Sequence, residues 1–378
     1  MNICYVTTIG LSIKAFFIPQ LKYLASKGHN VSVICSYEDG LQELLGDTIT
    51  YIPVEIPRGM SATGTLKATK NIAQLLKKGD YDIVQYSTPN AAFCTSIASC
   101  LAGVKVRNYH LMGFRYQGFN GIKRAFFKKI EQITCRLSTD IECVSLTNRE
   151  MGIKEKVFQG SKAVVVWNGS SGGVDCNRFS DEHRDEWKAE IRKKLNISDS
   201  FFVFGFAGRI TKDKGIDELL AAFQQIKNQN TVLLMIGDFE GEQDLNQDLL
   251  HKAKLDPHVV FVPFVDNIEQ YYAAMDVIVL PSYREGFGMV IAEAAAMGVP
   301  AIVTRIPGPT DFVLEGKTAL VVPPRDSTEL AKAMNTFIED PSLAEQMGKM
   351  SSSYTKDMFD SQILCRKILE RKEMLVTR

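Results

Sequence analysis

Residues 281–300, PSYREGFGMVIAEAAAMGVP, hold two carboxylates, Glu285 and Glu293, on either side of a glycine-rich stretch. Glu285 stands in the turn itself, beside Gly286, Phe287 and Gly288. Glu293 lies inside the run that begins Met289-Val290, whose alanines predict a helix. The apolar residues Val277 to Leu280 predict a strand just before the turn. At the mouth of such a helix, backbone N–H groups and the positive end of the dipole suit a phosphate. Carboxylates repel phosphate, so their partners should be hydroxyls, and a ligand with both groups is a nucleotide sugar. An ordinary Rossmann-like turn with two solvated acids is the alternative reading.

A second block, FFVFGFAGRITKDKG at residues 201–215, has the same grammar. A buried strand leads into a turn at Gly208, followed by Arg209 and Lys214, and Gly215 opens a helical run from Ile216 to Ile226. Taken singly, these are two surface cations after a strand. Together with the Glu-x7-Glu spacing further on, the pattern resembles the retaining nucleotide-sugar glycosyltransferases of family 4, which have the GT-B fold. The resemblance implies that Arg209 and Lys214, beside Gly208, hold the donor diphosphate. Cations there stabilise the charge that builds as the glycosidic bond breaks. It also implies that Glu285 binds sugar hydroxyls and Glu293 the ribose. Gly286, Phe287, Gly288, Met289 and Val290 would line the donor, and the base would pack on Val262–Asp266, with Val265 the contact.

His110 ends a predicted strand in RNYHLMGFRYQG. Family members place a histidine here, near donor sugar and acceptor, usually followed by glycine, whereas Leu111 follows in this chain. Many relatives also carry paired glycines after the first strand. Here the loop is Thr7-Thr8-Ile9-Gly10, with Gly10 the one glycine. This loop, Ser87-Thr88-Pro89 and the TRIPGPTDF stretch around Gly308 resemble the capsule and polyprenol-linked oligosaccharide branch of the family.

Residues 114–130, FRYQGFNGIKRAFFKKI, contain Phe114, Arg115, Lys123, Arg124, Lys128 and Lys129 and no acid. Cations and aromatics at helical spacing suit an interfacial element on anionic lipid. The segment could equally cradle a polyprenyl-diphosphate acceptor, with Phe114 and Arg115 as contacts. A third reading makes Phe126, Phe127 and Ile130 core and the cations a solvated face. No recognised fold or basic stripe supports nucleic-acid binding.

A chain of 378 residues, 45% hydrophobic and 23% charged, fits a globular protein of two domains. Net charge is zero, but residues 1–180 carry 21 Lys and Arg against 13 Asp and Glu, and the remainder 23 against 31. A basic half joined to an acidic half points to two bodies with different partners. No apolar run approaches the ~20 residues of a membrane span, and MNICYVTTIG reads as a strand rather than a signal peptide. The 8 cysteines contain no C-x-x-C pair and read as reduced.

The chain opens with a strand from Ile3 to Thr7, a loop through Gly10 and Ser12, a helix from Phe16 to Lys27 and a strand from Val31 to Cys35. Strand and helix alternate thereafter in both halves, which predicts parallel sheets. Asn168 to Phe179 reads as a glycine-rich linker, and relatives carry a similar Gly-Val-Asp-x-x-x-Phe stretch between domains. The expected fold class is α/β, GT-B, with two Rossmann-like domains facing across a cleft. Residues 1–170 would form the acceptor domain and 171–357 the donor domain. By resemblance, a final helix over 358–378 returns to the first domain.

The expected activity is transfer of a sugar from a UDP-sugar (GDP is the other candidate) to a saccharide acceptor, with retention by front-face attack. The acceptor would be polyprenyl-diphosphate-linked and destined for surface polysaccharide. No cofactor or metal is expected. Asp80-Tyr81-Asp82 matches a metal-binding string but stands at the amino edge of a strand, whereas ligands of parallel sheets gather at carboxyl ends. The expected location is cytoplasmic, peripheral on the inner face of the plasma membrane. A GT-B sugar-nucleotide epimerase and a non-catalytic nucleotide-sugar-binding subunit are the alternatives. The epimerase would need acid/base groups on both sides of the sugar ring, and the binder should have lost Arg209, Lys214, Glu285 or Glu293.

Overall fold

The structure, a computed structural model, describes residues 1–226 and 229–378. It divides into two compact units, Met1–Gly173 with Ser361–Arg378, and Val174–Asp360. The chain therefore passes between units inside the glycine-rich stretch and again between Asp360 and Ser361.

The first unit is built on a seven-stranded parallel sheet. Its strands are β1 (Asn2–Ile9), β2 (Asn30–Ser36), β3 (Ile49–Pro53), β4 (Ile83–Tyr86), β5 (Val106–Leu111), β6 (Asp140–Cys143) and β7 (Ala163–Val164), in the order β3-β2-β1-β4-β5-β6-β7. Strand alternation sends Cys4, Val6, Val84, Tyr86, Tyr109 and Leu111 to one face, under helices Ala62–Gly79, Pro89–Ala102 and Gly121–Leu137. Ile3, Tyr5, Val33 and Ile83 go to the other. There they meet the helices near the N-terminus and Leu375 of the last helix, Ser361–Thr377. Both faces are buried, which is why β1 and β2 read as largely apolar runs.

One expectation for the N-terminal βαβ unit fails, and the helix expected after it forms with narrower bounds. The stretch through Gly10 and Ser12 is a short helix, Gly10–Phe16, rather than a loop. The helix expected from Phe16 to Lys27 is Ile18–Ser26. Phe17 separates the two, with Pro19 in the first turn of the second, where its missing N–H costs no helical bond.

The second unit carries a six-stranded parallel sheet: β8 (Phe202–Ala207), β9 (Thr231–Ile236), β10 (Val259–Val262), β11 (Val277–Leu280), β12 (Ala301–Thr304) and β13 (Ala319–Val322), in the order β10-β9-β8-β11-β12-β13. In each unit the direction of winding reverses once, between β1 and β4 and between β8 and β11. Ligands of doubly wound sheets bind outside the carboxyl ends of strands at such a reversal.

Candidate functional site

The loops after β8 and β11 lie at the reversal of the second sheet, and both predicted blocks fall on them. Gly208 leaves β8 with φ 142°, and a Cβ at Gly237, after β9, would collide with the Gly208 carbonyl oxygen. Gly215 has φ 71°, and a Cβ there would collide with the Pro281 carbonyl oxygen. Only glycine allows this approach, and it brings the loop after β8 against the loop after β11. Residues 71 positions apart then meet: Lys214 Nζ lies 2.5 Å from Glu285 Oε1. The Ser282 hydroxyl donates to the same oxygen at 2.8 Å.

Asp213 braces the loop pair. It accepts from the Thr211 hydroxyl at 2.7 Å and from Arg284 Nη2 at 3.0 Å, and its carbonyl takes the Tyr283 N–H at 2.9 Å. Burial alone would raise the Asp213 pKa. The Thr211 hydrogen bond and the charges of Arg284, Lys214 and Arg209 outweigh it and hold the carboxyl below its ordinary value. Arg209 is not drawn into the Lys214–Glu285 contact. Its guanidinium pairs with Glu240 at 2.7 Å, with both side chains about half exposed.

Met289–Ala296 is the helix expected after the turn, with Gly288 as N-cap at φ 88°. Phe287 packs against Phe312 and Phe359 and is 2% exposed, so its side chain is core and the donor contact expected of it is left to its backbone. Glu293 accepts from the Tyr272 hydroxyl at 3.0 Å. Burial pushes its pKa up to about 7, with the Tyr272 hydrogen bond opposing. Val265 is half-buried in the loop after β10, beside an exposed Phe264 whose N–H is held by Asp238 at 3.2 Å. The stretch Val174-Asp175-Cys176-Asn177-Arg178-Phe179 also gains a physical reading. Asp175 Oδ1 takes the N–H groups of Asn177 and Arg178, Phe179 is buried near Tyr272, and Arg178 pairs with Glu269 at 2.7 Å.

In the first unit the threonine loop replaces the glycine pair with a latch across the reversal. Thr8 and Thr88 share a 2.7 Å hydroxyl contact, and the Thr8 N–H reaches Thr88 Oγ1 at 3.0 Å. Thr88 adopts φ 65°, unusual for a β-branched residue, as N-cap of Pro89–Ala102. Gly10 is buried, and a Cβ there would collide with Glu38, so its role is packing as well as turning.

His110 is 5% exposed near the carboxyl end of β5, its ring edge-on to Phe17. Neither ring nitrogen has a hydrogen-bond partner among the described residues, and Glu142 Oε2 lies 3.9 Å from Nδ1.

The segment 114–130 resolves into three parts. Phe114 is 3% exposed against Tyr116 and Phe158, which corrects its expected place as an acceptor contact: the aromatic density marks core. Arg115 donates to Asn90 Oδ1 at 2.7 Å and stacks on Phe127. Arg124 and Lys128 both pair with Glu155 at 2.9 Å, an acid supplied from outside the segment. What remains outward on Gly121–Leu137 is a stripe of Ile122, Phe126, Lys129, Ile133 and Arg136, with Lys123 beside it. Phe127 is buried and Ile130 partly so.

Sequence reasoning missed Ser282, Tyr272 and Glu142. Ser282 lies within the quoted motif and was legible there. Tyr272 and Glu142 are joined to the candidate residues only by the fold.

Comparison with known proteins follows the same division. The Glycosyltransferase Family 4 domain matches residues 20–171, and the Glycosyl transferases group 1 domain matches 188–353. The capsular polysaccharide biosynthesis glycosyltransferase CapM of Staphylococcus aureus is 30% identical over 365 residues, 96% of this chain and 94% of that protein. A UDP-Gal:α-D-GlcNAc-diphosphoundecaprenol α-1,3-galactosyltransferase of Escherichia coli is 26% identical, over 77% of this chain and 75% of its own. Among solved structures, Anabaena HepE in complex with UDP-glucose superposes with a TM-score of 0.81 at 22% identity, over 99% of this chain and 100% of that one. The fold is GT-B.

Proposed function

We propose that this chain, which belongs to glycosyltransferase family 4, transfers a hexosyl or N-acetylhexosaminyl group from a UDP-sugar to a polyprenyl-diphosphate-linked saccharide, with retention of anomeric configuration, in capsule or related polysaccharide synthesis. It is a glycosyltransferase by family. The donor base, the acceptor and the stereochemical course are our reading. HepE in complex with UDP-glucose, and the lipid-linked diphosphate in the name of the E. coli relative, support it.

One observation carries the reading: Lys214 and Glu285 meet at the reversal of the second sheet. A cation with a carboxylate beside a helix N-terminus provides for both phosphate and hydroxyl on one ligand. In this reading Arg209 and Lys214 hold the diphosphate, Glu285 the sugar hydroxyls and Glu293 the ribose. His110 is given its role at the sugar by the family resemblance.

The acceptor hydroxyl attacks the anomeric carbon from the side the diphosphate leaves. The new C–O bond forms as the bond to phosphate breaks, and a phosphate oxygen of the departing UDP takes the hydroxyl proton. Arg209 and Lys214 stabilise the charge left on UDP, so no metal or cofactor has a role in this scheme.

We also assign the outward stripe Ile122, Phe126, Lys129 and Ile133 to contact with an anionic bilayer. No described helix is long and apolar enough to cross a membrane, so association would be peripheral. A panel of UDP-sugars and GDP-sugars, scored for nucleotide release with and without a polyprenyl-diphosphate-saccharide, tests the function. Acceptor-dependent UDP release supports it. Release of nucleotide only from GDP-sugars, or epimerisation without acceptor, overturns it.

A further inference from the structure

The face of the first sheet that carries His110 also carries a buried polar seam. In register across neighbouring strands lie Tyr5, Gln85, Asn108 and Asp140, and one step further along, His110 opposite Glu142. Such a row would be costly under an apolar cover. What covers it is charged. The last helix, Ser361–Thr377, brings Lys372, completely buried, to Gln85 Oε1 at 2.5 Å and over the Tyr5 ring. Arg371 donates to Asp140 Oδ1 at 3.2 Å and approaches Glu142 Oε1 to 4.0 Å. The Asn108 amide donates to Gln85 Oε1 at 3.2 Å.

Glu142 is thus an anionic centre of the seam: His110 and Arg371 approach it to 3.9 and 4.0 Å, and Tyr5 and Lys372 interact with its charge. Burial alone would raise its pKa. His110 and the Lys372 charge outweigh burial and hold the carboxyl down to about 2. Burial likewise lowers the Lys372 pKa, with Glu142 opposing. Lys372 reaches Gln85 rather than Glu142 itself and acts on that carboxylate through its charge, while Arg371 at 4.0 Å and the His110 imidazole at 3.9 Å are the groups that approach it.

We infer that Lys372 and Glu142 are positioning residues for His110: the C-terminal helix, through the charge of Lys372 and the approach of Arg371 to Glu142 Oε1, keeps Glu142 anionic, and the Glu142 charge, 3.9 Å from Nδ1, favours the imidazole tautomer with N–H on that nitrogen. Nε2, buried and without a hydrogen-bond partner among the described residues, is then the nitrogen left to accept from a substrate hydroxyl. The return of the chain to the first unit at Ser361 does chemical work, because it delivers the cation that this arrangement needs. The inference rests on the reading that His110 acts at the sugar.

The test uses full-length protein carrying 15N-labelled histidine. The chain has 5 histidines, and His110→Gln identifies the His110 signal. Lys372→Met keeps the length of the side chain and removes the charge. Glu142→Gln keeps its shape. Both should shift the His110 ring-nitrogen resonances and lower kcat roughly ten- to hundredfold, the scale on which outer partners of metal-ligating histidines act, while the donor KM changes less than about twofold. Either variant suffices if the other does not fold. Unchanged His110 resonances and kcat, with only a lowered Tm, would reduce the seam to a latch for the helix and overturn the inference. If His110→Gln itself turns over normally, the role given to His110 fails, and the resonances still decide whether Lys372 and Glu142 position it.

Discussion

Lys214 Nζ and Glu285 Oε1 lie 2.5 Å apart, with Ser282 on the same carboxylate oxygen. The cation assigned to phosphate and the acid assigned to sugar hydroxyls therefore neutralise one another before any donor arrives. An incoming diphosphate competes with Glu285 for the ammonium, so each charge limits what the other offers to half of the ligand.

A testable asymmetry results. Glu285→Gln frees Lys214 and removes a negative charge near the phosphates. UDP should bind it more tightly than the parent, by about fivefold for a partly screened charge worth ~1 kcal/mol. Transfer from the intact UDP-sugar should nevertheless fall by roughly two to three orders of magnitude. Calorimetric titration with UDP and initial rates from the same preparation check both. Weaker UDP binding in Glu285→Gln would refute the competition.

Arg209 separates stability from catalysis. Its pair with Glu240 is exposed on both sides, and such pairs contribute about 0–1 kcal/mol. Arg209→Ala should shift Tm by less than roughly 4 °C for a unit of this size, yet lower kcat about a hundredfold or more by removing a cation from the departing diphosphate. Near-parental kcat would take Arg209 out of the mechanism.

The residues that proved legible share a cause. Gly208, Gly215 and Gly288 announce backbone that leaves the ordinary φ range at the carboxyl ends of apolar strands, so motif and topology coincide. Phe114 misled because aromatic residues among cations suit a membrane surface and a core equally well. Only the placement of Glu155, which takes up Arg124 and Lys128, separates the two. Glu142 and Lys372 were illegible for another reason. A lone glutamate in a short strand and a lysine in a helix each read as solvated, and their shared burial depends on a contact spanning more than two hundred residues of chain.

Two glutamates with raised pKa, Glu131 buried and Glu293 half-buried, should make stability fall as pH rises. Glu131, 4% exposed, accepts from Tyr109 at 2.6 Å, and burial pushes its pKa up to about 7; Glu293 is raised to about 7 as well. An acid whose folded pKa exceeds its unfolded value binds more protons in the folded state through that window. Its penalty is absent below about 4.5 and complete above about 7. Glu131→Gln should therefore raise Tm at pH 8.5, by a free energy on the order of 3 kcal/mol at most, leave it unchanged near pH 4 and not alter kcat. Glu293→Gln should also raise Tm at high pH, but with a kinetic signature that Glu131→Gln lacks. The parental donor KM should rise as pH falls from 8 to 6, because protonated Glu293 offers the ribose a poorer acceptor, and the variant should lose this dependence. A donor KM that stays flat in the parent over this range would remove Glu293 from the ribose site.

The outward stripe of Gly121–Leu137 makes a separate prediction about membranes. Ile122 is 89% exposed and Phe126 46%, and Lys123 and Lys129 flank them without a salt-bridge partner among the described residues. Each cation near an anionic surface contributes about 1 kcal/mol, so Lys123→Gln with Lys129→Gln should weaken partitioning onto vesicles rich in phosphatidylglycerol by roughly thirtyfold. High salt should mimic the loss in the parent and have little further effect in the variant. Ile122→Asn should weaken binding at every salt concentration, because it removes apolar insertion and leaves the charge unchanged. Arg124 and Lys128 provide the control. They are held by Glu155, so their replacement by glutamine should change Tm more than partitioning. Sedimentation with vesicles of neutral and anionic composition distinguishes these cases, and equal binding by the parent and the Lys123/Lys129 variant would show that this helix is not the membrane contact.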